Sequence, residues 1–223
     1  MGNQGVISSG DVQWMTAGNG IIHQEMPKGS PSGLMWGFQL WANLPASQKM
    51  MDPRYRDVTQ KQIPEVKVGS GITVKVISGR VNGTAGPVKD IIIDPEYLDV
   101  TVPAGATFTH PVKEGHTAFA YAVEGKGYFD AERDSFDHER VGANYFDFQR
   151  ECQVGPENLV LYERSGDPVV VTAGESPLRF LLVSGKPIGE PVAWYGPIVM
   201  NTQEELRVAF EEYQKGTFIK RKE

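Results

Sequence analysis

Cysteine is almost missing from this chain. Cys152 is the only one, so no disulfide can close within the sequence, which favours a reducing compartment. Histidine is scarce as well: His23, His110, His116 and His138 are the complete set. No two of them stand in an H-x-H spacing, and none precedes His23. Long hydrophobic runs are lacking. No stretch approaches the ~20 apolar residues of a membrane helix, and the first residues carry no signal-peptide core. Basic clusters are lacking too. A net charge of −6 opposes direct nucleic-acid binding, which needs grouped Lys and Arg. There is no Gly-x-Ser-x-Gly elbow, phosphate-cradling glycine loop or zinc-type cysteine pair. Together these absences predict a cytoplasmic protein with neither a membrane nor a nucleic acid as direct partner.

What is present reads as all-β. The 223 residues suffice for one large or two small domains. With 25 Gly and 15 Pro the chain can make many turns. Strand patterns recur at short spacing over Ile72–Ile77, Ile91–Ile93, Tyr97–Val102, Thr117–Val123, Leu159–Tyr162, Val169–Thr172 and Phe180–Val183. In Tyr97–Val102, period two places Leu98, Val100 and Val102 on one face. Glu124-Gly125-Lys126-Gly127 has the composition of a hairpin turn. Many short strands at this spacing mean a sandwich or barrel. Leu34–Leu44 is apolar on both faces, as a buried strand would be, with Trp36 and Trp41 expected in a core. Pro45–Pro64 is polar and broken by Pro53, and reads as a connection. One helix is well signalled. Thr202 and Glu205 make a capping box, Leu206, Phe210 and Tyr213 form the expected buried stripe, and Gly216 comes after the last turn.

The chemistry concentrates between Gly10 and Pro27. Val12–Met15 reads as one strand and Ile21–Met26 as the next, after glycines at 18 and 20 that allow a tight approach. On a strand His23 and Glu25 share a face, with Cα atoms roughly 6.5–7 Å apart. An imidazole and a carboxylate on one face can share a metal ion. The same spacing equally suits a solvated face or a hydrogen-bonded histidine, and pattern alone leaves both open.

The run Gly10-Asp-Val-Gln-Trp-Met-Thr-Ala-Gly-Asn-Gly-Ile-Ile-His-Gln-Glu-Met-Pro27 resembles the signature of the pirin family. The likeness continues at Gln39–Leu44, Lys49–Tyr55 and Gly196–Thr202. It implies a bicupin fold, two small β-barrels, here with a C-terminal helix. It also implies a mononuclear metal, Fe(II) or another divalent transition metal, held in part by His23 and Glu25. Glu25 would double as a base for a flavonol hydroxyl. The family's other ligands come from an H-x-H pair that this sequence lacks. The resemblance therefore predicts that the opening strands of the first barrel are absent and the ligand set incomplete. Expected domains are 1–58, the remainder of the metal-binding barrel; 59–65, a linker; and 66–223, a second barrel with the helix.

The resemblance implies two functions. One is a quercetin 2,3-dioxygenase-type oxygenase acting on a small aromatic substrate such as a flavonol. The other is a non-catalytic regulatory protein that binds a transcription-factor complex or a metabolic enzyme. Elsewhere, His110, Glu114 and His116 lie just before the strand Thr117–Val123, where cupin domains often place metal histidines, and could form a second metal site. Alternatively, they are a solvated loop. His138, among Asp134, Asp137, Glu139 and Arg140, reads as a charged surface turn.

Overall fold

A computed structural model describes residues 5–29, 33–133, 151–164 and 168–220. In chain order its elements are β1 Val12–Thr16, α1 Ala46–Lys49, β2 Arg54–Val58, β3 Glu65–Val68, β4 Ile72–Ser78, β5 Arg80–Val81, β6 Thr84–Ala85, β7 Glu96–Val102, β8 Thr107–His110, β9 Thr117–Glu124, β10 Gly127–Tyr128, β11 Leu159–Leu161, β12 Val169–Ala173, β13 Leu178–Gly185, β14 Ala193–Tyr195, β15 Ile198–Met200 and α2 Gln203–Gln214. The chain is all-β apart from these short helices, as expected. No described helix is long and apolar enough to cross a membrane.

Contacts divide the chain into two units. The larger takes Asp57–Pro187 with Met1–Val12; the other takes Gln13–Arg56 with Ile188–Glu223. The helix α2 thus groups with residues 13–56, whereas the sequence pattern attaches it to the second barrel. His138 and the charged turn read around it lie outside the described residues.

The larger unit is a two-sheet barrel. One sheet runs β11-β9-β13-β7-β4-β3 and the other β10-β12-β8. The alternation in β7 does what period two requires: Leu98, Val100 and Val102 are fully buried. In β9 the small residues face inward. Ala118, Ala120 and Ala122 are in the core, and Phe119 and Tyr121 take the other face. That leaves room for Phe180, whose ring meets Phe108 at 5.9 Å and Phe129 at 5.4 Å, both edge-on. Such contacts add ~0.5–1.5 kcal/mol each beyond area burial.

Two expected elements differ. Ile91–Ile93 forms a turn rather than a strand. The segment after Gly125 is no simple hairpin, because β10 leaves β9 and pairs β12 in the second sheet. Gly125 permits this with φ +77°, where a Cβ would lie 2.1 Å from the Pro177 carbonyl oxygen.

The smaller unit holds most of β1 and β2, which pair as one two-stranded sheet, together with β14 and β15 as another, and both α-helices. The capping box of α2 is formed: Thr202 Oγ1 accepts from Glu205 N, and Glu205 Oε2 accepts from Thr202 N at 2.9 Å. Its buried stripe is narrower than the pattern predicts. Leu206 and Ala209 are buried, Phe210 is half-buried, and Tyr213 is exposed. Leu34–Leu44 is a correction. It forms no strand, and Leu34, Met35, Trp36, Phe38, Leu40 and Trp41 are all exposed. Two apolar faces state a demand for burial. They do not supply the neighbouring strands that would meet it.

The segment read as a bare connection holds a buried cation. Lys49, 6% exposed, donates to Asn43 Oδ1 at 2.7 Å and to the Leu44 carbonyl at 2.9 Å. Burial lowers its pKa, while the charges of Glu190 and Glu205 oppose that shift. Glu190 Oε2 in turn accepts from Ala46 N and from Asn201 Nδ2.

The two units should respond separately to substitution. Phe180→Ala should cost the larger unit ~3–5 kcal/mol, read as a lower midpoint in urea by far-UV circular dichroism. Lys49→Met should cost the smaller unit ~1–3 kcal/mol, because two acceptors lose their donor. Trp14, Trp36, Trp41 and Trp194 all lie in the smaller unit. Tryptophan fluorescence should therefore register the Lys49 change and miss the early effect of Phe180→Ala.

Candidate functional site

The segment carrying His23 and Glu25 starts from an anchored turn. Asn19 N donates to the Met51 carbonyl at 2.8 Å. Gly18 has φ +53°, and a Cβ there would sit 2.2 Å from the Met51 carbonyl oxygen. Gly20 has φ +130°, and its Cβ would meet the Phe218 ring at 2.8 Å. Both positions need glycine for approach as well as for backbone angle, as the sequence pattern predicts.

Beyond this turn the chain is extended but unpaired. Residues 21–29 form no strand, which corrects the expectation for Ile21–Met26. Alternation describes a chain that could pair. A strand also needs a neighbour to take its backbone N–H and C=O groups, and here none of the described residues does so. The side chains still converge. His23 Nδ1 lies 3.9 Å from Glu25 Oε1, with the side chains 44% and 59% exposed. They face solvent rather than the interior of a barrel.

The pair meets some of the requirements of a transition metal. Two donors at ~2.1 Å from one ion can be at most ~4.2 Å apart, so a 3.9 Å spacing is within reach. Imidazole with carboxylate also suits iron and its neighbours. The number of donors does not fit. Among the described residues no group of three or more His, Cys, Asp or Glu could hold a metal, and such sites use three or four protein donors. By themselves His23 and Glu25 offer two donor groups, fewer than such a site uses.

The second grouping, His110, Glu114 and His116, is not brought together as a metal site among the described residues. His110 is buried and occupied: its Nε2 is 2.9 Å from Glu96 Oε2, and its ring stacks on Phe108 at 5.8 Å. Glu114 is exposed, and His116 lines a separate cavity. Polar residues that pattern reading missed include Lys49, described above, and the Asp99–Arg179 pair. In that pair Nε and Nη2 donate to the two carboxylate oxygens at 2.9 and 2.8 Å. Beside it, burial and then the Asp99 charge push the Tyr97 phenol up to about 12. The alternation Tyr97-Leu98-Asp99 carried the signal for an outward polar face, but pairing with a residue 80 positions away has no local trace.

Known proteins resemble this chain along nearly all of its length. The family profile described as pirin C-terminal cupin domain matches residues 97–219, and the pirin profile matches residues 1–42. A pirin-like protein of Caulobacter vibrioides is 42% identical over 97% of this chain and 71% of its own length. A protein of Thermoplasma acidophilum named "putative quercetin 2,3-dioxygenase" is 34% identical, over 98% of this chain and 82% of its own. A crystal structure of quercetin 2,3-dioxygenase from Acinetobacter baumannii superposes with a TM-score of 0.75 at 27% identity, covering 97% of this chain and 69% of that one. The two profile matches, and identity that runs through both units, show that the chain belongs to the pirin family of cupin proteins.

Proposed function

We propose that this chain is an oxygenase-type pirin whose His23 and Glu25 supply two donors of a divalent transition-metal site for a small phenolic substrate of the flavonol class. The observation that carries this reading is the convergence of the two side chains, 3.9 Å apart, within the region matched by the pirin profile. Two relatives named for quercetin 2,3-dioxygenase span nearly all of the chain and support it. The remaining donors would come from outside the described residues. Glu25 is an exposed carboxylate beside an imidazole, and a flavonol hydroxyl could pass its proton to it. The iron, when bound, would supply the reaction with dioxygen.

A second reading, a binding protein without turnover, rests on a different observation. Met26, Leu34, Met35, Trp36, Phe38 and Trp41 follow the donor pair in sequence and are all exposed. Large apolar side chains left in water are the material from which interaction sites are built.

Metal binding is the first test. Losing one supporting partner of a metal ligand costs ~10–100-fold in affinity, and missing first-rank donors should cost more. The purified chain should therefore hold well under one metal per molecule after dialysis against chelator, measured by elemental analysis. Stoichiometric retained iron would mean that residues of this chain outside the described ones complete the set.

Turnover is the second. Oxygen uptake with quercetin that rises on addition of Fe(II), and disappears in both His23→Ala and Glu25→Gln, supports the oxygenase reading. Quercetin consumed equally by both variants places the chemistry elsewhere. If quercetin is left intact with and without Fe(II), the oxygenase reading is withdrawn and the binding reading stands.

A further inference from the structure

The larger unit contains a second place where polar groups converge, and it involves neither His23 nor Glu25. A cavity of about 90 Å³ opens between the start of β12 and the turn before β9. Ala118 and Val169 are its buried floor. Lys113, Glu163 and Arg164 stand at its exposed rim. His116 and Tyr162 also line it. His116 Nδ1 and the Tyr162 hydroxyl are both buried, and neither has a hydrogen-bond partner among the described residues. A buried polar atom without a partner forfeits ~1–3 kcal/mol. Two in one cavity call for a ligand or ordered water that satisfies both.

We propose that this cavity binds a small organic carboxylate, whose oxygens accept from the Tyr162 hydroxyl and from His116 Nδ1, with Arg164 at the mouth. The chemistry of each group supports an oxyanion. Burial, with Asp130 nearby, raises the Tyr162 pKa, so its phenol keeps its proton and can donate. Neutral imidazole donates from one ring nitrogen, and Nδ1 serves when the proton resides there. Arg164 Nε donates to Thr117 Oγ1 at 2.9 Å, which uses one of the five guanidinium donors and fixes the group near the strand. Lys113 pairs with Asp94 at 2.6 Å, so Arg164 rather than Lys113 is the cation offered to a ligand. Glu163 at the rim disfavours a multiply charged anion. The walls decide between ligand classes. Val112, Ala118, Pro168 and Val169 offer apolar surface to a short carbon tail, which inorganic phosphate does not have.

The main chain at both residues is anchored by its own hydrogen bonds. Tyr162 N donates to the Ala118 carbonyl at 3.0 Å, and His116 N donates to the Lys113 carbonyl at 3.1 Å. These bonds anchor the main chain at both residues and do not use the Tyr162 hydroxyl or His116 Nδ1, which have no partner among the described residues.

The test uses the full chain and butyrate, monitored through the imidazole resonances of the four histidines. His116 should shift saturably while the His23 and His110 signals stay in place. Tyr162→Phe removes one oxygen and keeps the ring. It should weaken butyrate about tenfold or more, the loss expected for one hydrogen bond to a charged group. Inorganic phosphate is the second arm and should bind more weakly than butyrate. Three results overturn the proposal: no saturable shift with butyrate, which leaves ordered water as the occupant; phosphate binding as tightly as butyrate, which removes the role of the apolar walls; or butyrate affinity unchanged in Tyr162→Phe. None of these depends on metal or quercetin, so this inference stands or falls apart from the oxygenase reading.

Discussion

The register between β7 and β13 is the constraint on which the barrel depends. Leu98 stands opposite Leu182, Val100 opposite Phe180 and Val102 opposite Leu178. All six are fully buried. A slip of one residue would turn every one of them outward. The outer face resists that slip as well, because Asp99 and Arg179 form a two-point pair across the same two strands. On its other side β13 meets β9, where Phe180 faces Ala122 and Leu182 faces Ala120. Large residues against small ones let the Phe108–Phe180–Phe129 cluster fill the interior. The same register carries β9 back to Thr117 opposite Gly185. It thereby sets Ala118 as the cavity floor, with His116 just outside the sheet. The packing of the core and the position of the second polar pocket are consequences of one strand pairing.

The smaller unit is held on different terms. Few of its large apolar side chains are buried, and its order comes from polar groups and turns. Lys49 gathers Asn43 and Leu44, Glu190 receives Ala46 and Asn201, and Glu205 closes the start of α2. An ammonium in such a place is costly alone and useful when surrounded by acceptors. Its contribution is positional, because it fixes the path between residues 43 and 49 that no apolar contact specifies. The exposed aromatic residues of 34–41 sit just before this anchor in the chain. The unit combines a firmly tethered backbone with an apolar surface left uncovered within it.

The fold was legible where a residue pattern and its physical consequence are local. Leu98, Val100 and Val102 announce a buried face by alternation, and burial comes with the sheet they join. Thr202 and Glu205 announce a helix start because both hydrogen bonds close within one turn. The glycines at 18 and 20 announce a tight turn because only glycine tolerates the neighbouring carbonyl and ring. Legibility ended where the consequence needs a distant partner. Ile21–Met26 alternates as a strand should, yet its hydrogen-bonding groups find no ladder among the described residues. Leu34–Leu44 has the composition of a core strand and lies exposed. Phe210 and Tyr213 fall on the apolar stripe of α2, yet each meets only the edge of one ring, Tyr195 for Phe210 and Phe218 for Tyr213, and stays partly or largely exposed. The pairing of Lys49 with Asn43 and of Asp99 with Arg179 leaves no sequence trace.

Histidine shows the same limit at the level of chemistry. The three described histidines have similar credentials in sequence, each a few residues from a carboxylate or a lysine. Their environments assign them different work. His110 is buried, its Nε2 bound to Glu96 and its ring flat against Phe108, so it serves packing. His23 is exposed beside Glu25 and can be taken up by an ion only if further donors arrive. His116 is the reverse case, a nitrogen already withdrawn from water with nothing yet to bond among the described residues. Desolvation has been met in advance at His116, so a guest that supplies an acceptor gains the full hydrogen bond. At His23 a guest must first displace water from both donors. Affinity for a small polar ligand should therefore concentrate at the buried, unpartnered site, and metal affinity at the exposed pair should depend on donors the described residues do not provide.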